Sequence, residues 1–217
     1  PAADDERHLV FAHYMVCYGS SVEFHKQEIE LAQRHGIDGF ALNCGQWASF
    51  DPKTGQLTPS GYVHSAERIY EAARQLGTGF RLFFSPDLSG LRDLPRNIGD
   101  MVRRFAQHPN QFRHGGRIVL SGYAGGPEAY AQAVAELKRD GVDVCFVPHV
   151  SSRRWMMAWS MESALRFFQD QGHMDGLFRF AADGSVADHL RTNAEARRAT
   201  QHLGKLYMAG VAPAYNS

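Results

Sequence analysis

Residues 8–45 read HLVFAHYMVCYGSSVEFHKQEIELAQRHGIDGFALNCG. Residues 8–16 form an apolar run of strand length, 21–36 carry a helical pattern, and 37–45 return to a short apolar run. Ser21 is placed to cap the helix, Ile29 with Leu31 and Ala32 to form its apolar face, and Gly36 to stop it. Strand, helix and strand in so short a span make a βαβ unit, whose two strands must lie parallel.

The pattern repeats outward from this unit. Strand-like runs occupy 80–90, 117–126, 143–151, 175–185 and 205–217. Helical patterns occupy 64–77, 97–110, 127–141, 160–172 and 186–204. In the first, Ala66, Ile69, Tyr70, Ala73 and Leu76 share one face before Gly77; Asn97 opens the second; Pro127 and Gly141 bound the third. The runs are apolar on both faces, as in a parallel sheet covered by helices. About seven strands and six helices predict an α/β fold, a (β/α)8 TIM-type barrel that closes at eight units in roughly 250 residues. On that count residues 1–217 are one domain, incomplete at the carboxyl end. A doubly wound open sheet is the alternative, but CYGSSVEF at 17–24 lacks the G-x-G-x-x-G turn. One long segment, 46–63, reads as an irregular loop bearing Trp47, Phe50 and Tyr62.

Composition narrows the function classes. Lys plus Arg and Asp plus Glu both number 23, so the formal net charge is zero. No basic run is present, which argues against nucleic acid and anionic membrane as partners. No apolar stretch approaches the roughly 18 residues of a membrane span. The chain begins without Met or an apolar signal core, as expected of a processed leader or a start inside a longer protein. Cys17, Cys44 and Cys145 form no C-x-x-C pair, which argues against a thiolate zinc site. Cys17 and Cys44 follow consecutive strands; they are free thiols or a neighbouring pair.

In a (β/α)8 barrel the chemistry lies at the carboxyl ends of the strands. There the sequence places His13, Tyr14, Asn43, Asp87, Ser121, Tyr123, His149, Asp183, Tyr215 and Asn216, with Ser151, Ser152 and Arg153 following His149. This rim is polar, aromatic and mostly uncharged. It suits a sugar, whose hydroxyls need fixed donors and acceptors and whose C–H faces stack on rings. Trp47, Trp155 and Trp159 are further candidate platforms. Packing competes with each assignment: His13 lies in an apolar strand, Asp87 follows Pro86 and can cap a turn, and Trp155 and Trp159 stand at helical spacing. Asp38, at the start of a strand, belongs to the stability face. His13, Asp87 and His149 are conceivable metal ligands, but no H-x-H or H-E-x-x-H pair supports a metal, and no cofactor is expected. No G-x-S-x-G elbow supports a serine hydrolase.

Four stretches together resemble glycoside hydrolase family 71, the α-1,3-glucanases or mutanases: LVFAHYMV, ELAQRHGIDGFALNCG, FRLFFSPDLSG and YMAGVAPAY. The family's first strand reads like V-F-A-H-F-M-V-G, its second like G-I-D-A-F-A-L-N, and its third like L-F-F-S-F-D-M. These match Val10 to Val16, Gly36 to Asn43 and Leu82 to Leu88. The resemblance implies a secreted or periplasmic (β/α)8 glycosidase that hydrolyses α-1,3-glucan with inversion and without metal. It places His13, Tyr14, Asn43 and Asp87 along the cleft. Two departures stand out. Ala124 lies near a position that is acidic in S-T-F-E-G, and the family's Trp-Asn-Asp-x-Gly-Glu motif, expected on the strand after YMAGVAP, is missing.

Glycoside hydrolysis normally uses two carboxyl groups, and inversion sets them roughly 6.5–9.5 Å apart. Asp87 and Asp183 are the carboxylates at strand ends and hence the candidate pair of this chain. With the family's acid and base on an eighth strand, Asp87 instead supports the substrate, and this piece alone is inactive with open sheet edges. The substrate-binding candidates are His13, Tyr14, Asn43, Trp47, Ser121, Tyr123, His149 and Tyr215. The alternatives are a non-catalytic glycan-binding barrel and a metal-dependent hydrolase.

Overall fold

A computed structural model describes residues 8–19, 21–150, 161–179 and 185–210. The first unit is β1 (Phe11–Met15), α1 (Val22–Arg34) and β2 (Gly39–Cys44). Ser21 caps α1 by accepting from the Phe24 amide at 3.1 Å. The two strands pair in parallel, with Phe11 opposite Gly39 and Met15 opposite Asn43. Asp38 fixes the start of this pairing by accepting from the Val10 amide at 2.9 Å.

A short antiparallel hairpin follows, β3 (Ala48–Phe50) and β4 (Leu57–Pro59). The segment expected to be irregular is therefore ordered. Its anchor is Asn97, whose side chain accepts from the Ala48 amide at 3.2 Å and donates to Ala48 O at 3.2 Å and Arg92 O at 2.7 Å. Asn97 does not open its helix; α3 (Leu94–Phe105) begins three residues earlier, after Asp93. Between them lie α2 (Gly61–Leu76), ended by Gly77 in the left-handed region at φ 63°, and β5 (Arg81–Pro86).

The remaining elements are β6 (Arg113–His114), β7 (Arg117–Leu120), the 3-10 turn Pro127–Tyr130, α4 (Ala131–Arg139), β8 (Val144–Phe146), α5 (Met161–Asp170), β9 (Gly176–Phe178), α6 (Val186–His202) and β10 (Leu206–Met208). β6 was not legible in the sequence; it makes a small antiparallel hairpin with β7. The parallel order is β1-β2-β5-β7-β8, and β9 pairs with β10. Among the described residues a parallel bridge from His149 to Phe178 joins the two groups. Spatial order of these parallel strands thus follows chain order. Among the described residues no pairing joins β10 to β1, so no closed barrel is seen.

Alternate strand residues face two cores. The outer core lies between sheet and helices and holds Leu42, Trp47, Ile69, Tyr70, Leu82, Phe84, Ile98, Leu120, Leu137 and Phe146. The inner core is small: Phe83, Val119, Cys145 and Val147, with Phe11, Ala41, Phe112, Phe178, Leu206 and Met208 packed on it. All three cysteines are free thiols; Cys17 is exposed, and Cys44 and Cys145 are buried. Among the described residues no helix is long and apolar enough to cross a membrane.

Candidate active site

The inner face turns polar toward the carboxyl ends of the strands. Asn43, next to last in β2, lies opposite Ser85 of β5, and both are buried. Past the strand ends the backbone ladder continues. The Asp87 amide donates to Cys44 O at 2.9 Å, Tyr123 N to Pro86 O at 2.8 Å, and His149 N to Gly122 O at 2.8 Å. These bonds hold the loop starts after β2, β5, β7 and β8 at one level, which is what a cleft needs for a fixed geometry.

Four side chains converge on one polar line. Asn43 Nδ2 donates to Asp87 Oδ2 at 3.3 Å and lies 3.4 Å from His13 Nε2. Asp87 Oδ1 accepts from the Ser89 amide at 3.0 Å and from its hydroxyl at 2.6 Å. Burial lowers the His13 pKa below its ordinary value, opposed by the charge of Asp87.

From His13 a row of rings crosses the cleft. The His13 and Tyr123 centroids are 5.4 Å apart, Tyr123 and His149 stack at 5.5 Å, and His149 meets Phe178 at 5.3 Å. His13 lies within β1, Tyr123 and His149 just past β7 and β8, and Phe178 at the end of β9. Burial first, then Arg179 and His13, push the His149 pKa down to about 4. Both imidazoles are therefore uncharged near neutral pH, and the row presents neutral rings.

The structure gathers His13, Asn43, Asp87, Tyr123 and His149 of the residues nominated from the sequence. Three others go elsewhere. Tyr14 points to the outer layer, stacked on Phe40 at 4.3 Å with its hydroxyl 3.1 Å from His25 Nδ1, because neighbouring strand residues face opposite sides. Trp47 is 1 % exposed, edge-on to Phe84, and its Nε1 donates to Asp100 at 2.8 Å, so it cannot stack on a ligand. Ser121 faces inward but is buried and donates to Val147 O at 2.8 Å. Asp183, Tyr215, Trp155, Trp159, Ser151, Ser152, Arg153 and Asn216 lie outside the described residues. Sequence reading missed Ser85, Ser89 and Phe178; 176–178 is apolar at both Leu177 and Phe178, so alternation gave no sign of which turns inward. Among the described residues no group of three or more His, Cys, Asp or Glu side chains is disposed to hold a metal ion, so His13, Asp87 and His149 do not form one.

A sequential parallel α/β sheet with a row of rings at its carboxyl edge defines a TIM-barrel-like protein. Similar solved structures agree on the fold. An endo-α-mannosidase of glycoside hydrolase family 99 from Bacteroides thetaiotaomicron aligns over 91 % of this chain and 67 % of its own, at 13 % identity and TM-score 0.63. A mandelate racemase/muconate lactonizing enzyme from Roseiflexus sp. aligns over 94 % and 48 %, at 13 % identity and TM-score 0.54. The family model of glycosyl hydrolase family 71 matches residues 6–217, and the chain belongs to that family. It is 29 % identical to glucan endo-1,3-alpha-glucosidase agn1 of Schizosaccharomyces pombe over 94 % of this chain and 46 % of that protein. It is 31 % identical to a mutanase of Penicillium rubens over 57 % of this chain and 26 % of that protein. The chain thus spans less than half the length of either curated relative.

Proposed function

We propose that the protein is a glycosidase of (β/α)8 type whose cleft takes α-1,3-glucan outside the cell. The observation that carries this is the row His13–Tyr123–His149–Phe178, with the Asn43–Asp87 pair at its His13 end. Neutral rings offer stacking faces to the C–H sides of pyranose units, while Asp87, held by the buried Asn43, supplies an acceptor for hydroxyls. Family membership and the relatives' names support glucan as the polymer. The seven parallel strands in chain order support the barrel.

Asp87 already accepts three hydrogen bonds. That suits an acceptor orienting a sugar hydroxyl or a water better than a proton donor. We assign it a supporting role in an inverting hydrolysis, in which a separate acid protonates the leaving oxygen and a base activates water. Asp183 remains the second carboxylate proposed for this chain.

The test is incubation of the purified full-length protein with insoluble α-1,3-glucan, following new reducing ends, with β-1,3-glucan and starch as controls. Cleavage of the α-1,3-linked polymer alone is expected, with the first product appearing as the β-anomer by proton NMR. Retention of the α-anomer would refute inversion. Binding without cleavage would support the non-catalytic glycan-binding alternative, and indifference to α-1,3-glucan would refute the assignment.

A further inference from the structure

Tyr130 closes the 3-10 turn after β7 and is 1 % exposed. Its hydroxyl has carbonyl oxygens of two strand ends within reach: Pro86 O at 3.0 Å, Tyr123 O at 3.2 Å and Ala124 O at 3.5 Å. Pro86 immediately precedes Asp87, and Tyr123 is the second ring of the cleft row. The Pro86 and Tyr123 carbonyls also carry the ladder between these segments, accepting from the Tyr123 amide at 2.8 Å and the Leu88 amide at 3.0 Å respectively. A single buried phenol therefore bonds where the supports of Asp87 and Tyr123 meet.

The surrounding chain is shaped to this phenol. A Cβ on Gly122 would stand 2.4 Å from the Tyr130 ring carbon that bears the hydroxyl, so only glycine fits there. Ala124 is held at φ 56°, a left-handed conformation that a residue with a Cβ keeps only when its neighbours impose it. Burial, and then the charge of Asp87, push the Tyr130 pKa upward, so the hydroxyl remains a neutral donor.

We propose that Tyr130 is a positioning residue, whose hydroxyl sets the spacing between Asp87 and the Tyr123 ring and thereby the fit of the saccharide across the cleft. The saccharide part of this assignment rests on the glucan reading above. Tyr70 provides a matched control: it is equally buried at 1 % exposure, and its hydroxyl donates to Gln111 Oε1 at 2.7 Å in the outer layer, away from the cleft.

The experiment compares Tyr130→Phe with Tyr70→Phe in the full chain. It reads amide hydrogen exchange at Leu88 and Tyr123, and calorimetric affinity for an α-1,3-linked glucose oligosaccharide. Tyr130→Phe should speed exchange at both amides and weaken binding about tenfold, as loss of one well-placed hydrogen bond does. Tyr70→Phe should lower thermal stability while leaving both readouts at their native values. Unchanged exchange in Tyr130→Phe, or an equal loss of affinity in the two variants, would overturn the assignment. If the native protein binds no α-1,3-glucan oligosaccharide, the glucan reading fails, and the exchange rates alone decide the role of Tyr130.

Discussion

Phe83 and Phe84 are neighbours in β5 and serve different layers. Phe84 enters the outer core, where its ring meets Trp47 at 5.4 Å, Phe105 at 5.5 Å and Tyr70 at 5.8 Å. Phe83 enters the inner core, where it meets Phe11 at 5.0 Å and Phe112 at 6.0 Å. The outer core continues along the helices. The inner core soon gives way to Asn43, Ser85 and Ser121, and above them to Asp87, Tyr123 and His149. The outer layer is thus committed to stability along its whole length. The inner layer changes from packing to recognition within a few residues of one strand.

The largest test of this division is Phe84→Ala. It should cost about 3–5 kcal/mol in urea unfolding, since it leaves a cavity among three aromatic rings. Affinity of the folded fraction for α-1,3-glucan oligosaccharide should not change; a parallel loss of affinity would break the separation of layers. Tyr123→Ala should do the reverse. We expect about a tenfold loss of saccharide affinity, typical of removing a central aromatic contact, with little movement of the urea midpoint. A destabilisation matching that of Phe84→Ala would instead place Tyr123 in the core.

The smallest effect concerns pH. His149 has a pKa of about 4 in the folded chain against 6.5 for the free side chain. Between those values the unfolded chain binds a proton that the folded chain does not, so stability rises with pH from about 4 to about 6.5 and flattens above. Urea titrations across that range should show the slope, and His149→Gln should reduce it. An undiminished slope in the variant would mean that the ring is not buried as the row requires.

Much of the architecture was legible because it is local. Ser21, Gly36, Gly77 and Pro127 act within a few residues of where they stand, and the seven parallel strands lie inside the runs read as strands. The hairpin at 48–59 was not legible, because its stability comes from Asn97 and Asp100, far along the chain. Trp47 misled for the same reason: a tryptophan in a loop-like stretch suggests a platform, but its partner Asp100 draws it into the core. Tyr14 was misplaced for a different reason. β1 is apolar on both faces, so alternation gives no sign of which residues turn inward.

The amino-acid sequence by itself determined the alternation of strands and helices, their order in a parallel sheet, and the set of polar residues available at the strand ends. These follow from periodicity, capping and chain connectivity, which act over short distances. Only the tertiary structure decided which of those residues share a cleft. It turned His13 inward and Tyr14 outward, joined Asn43 to Asp87, lined up the four rings, and set Tyr130 beneath two of the cleft's supports. Those relations depend on contacts between elements remote in the chain, and each is fixed only when the sheet and its helices pack together.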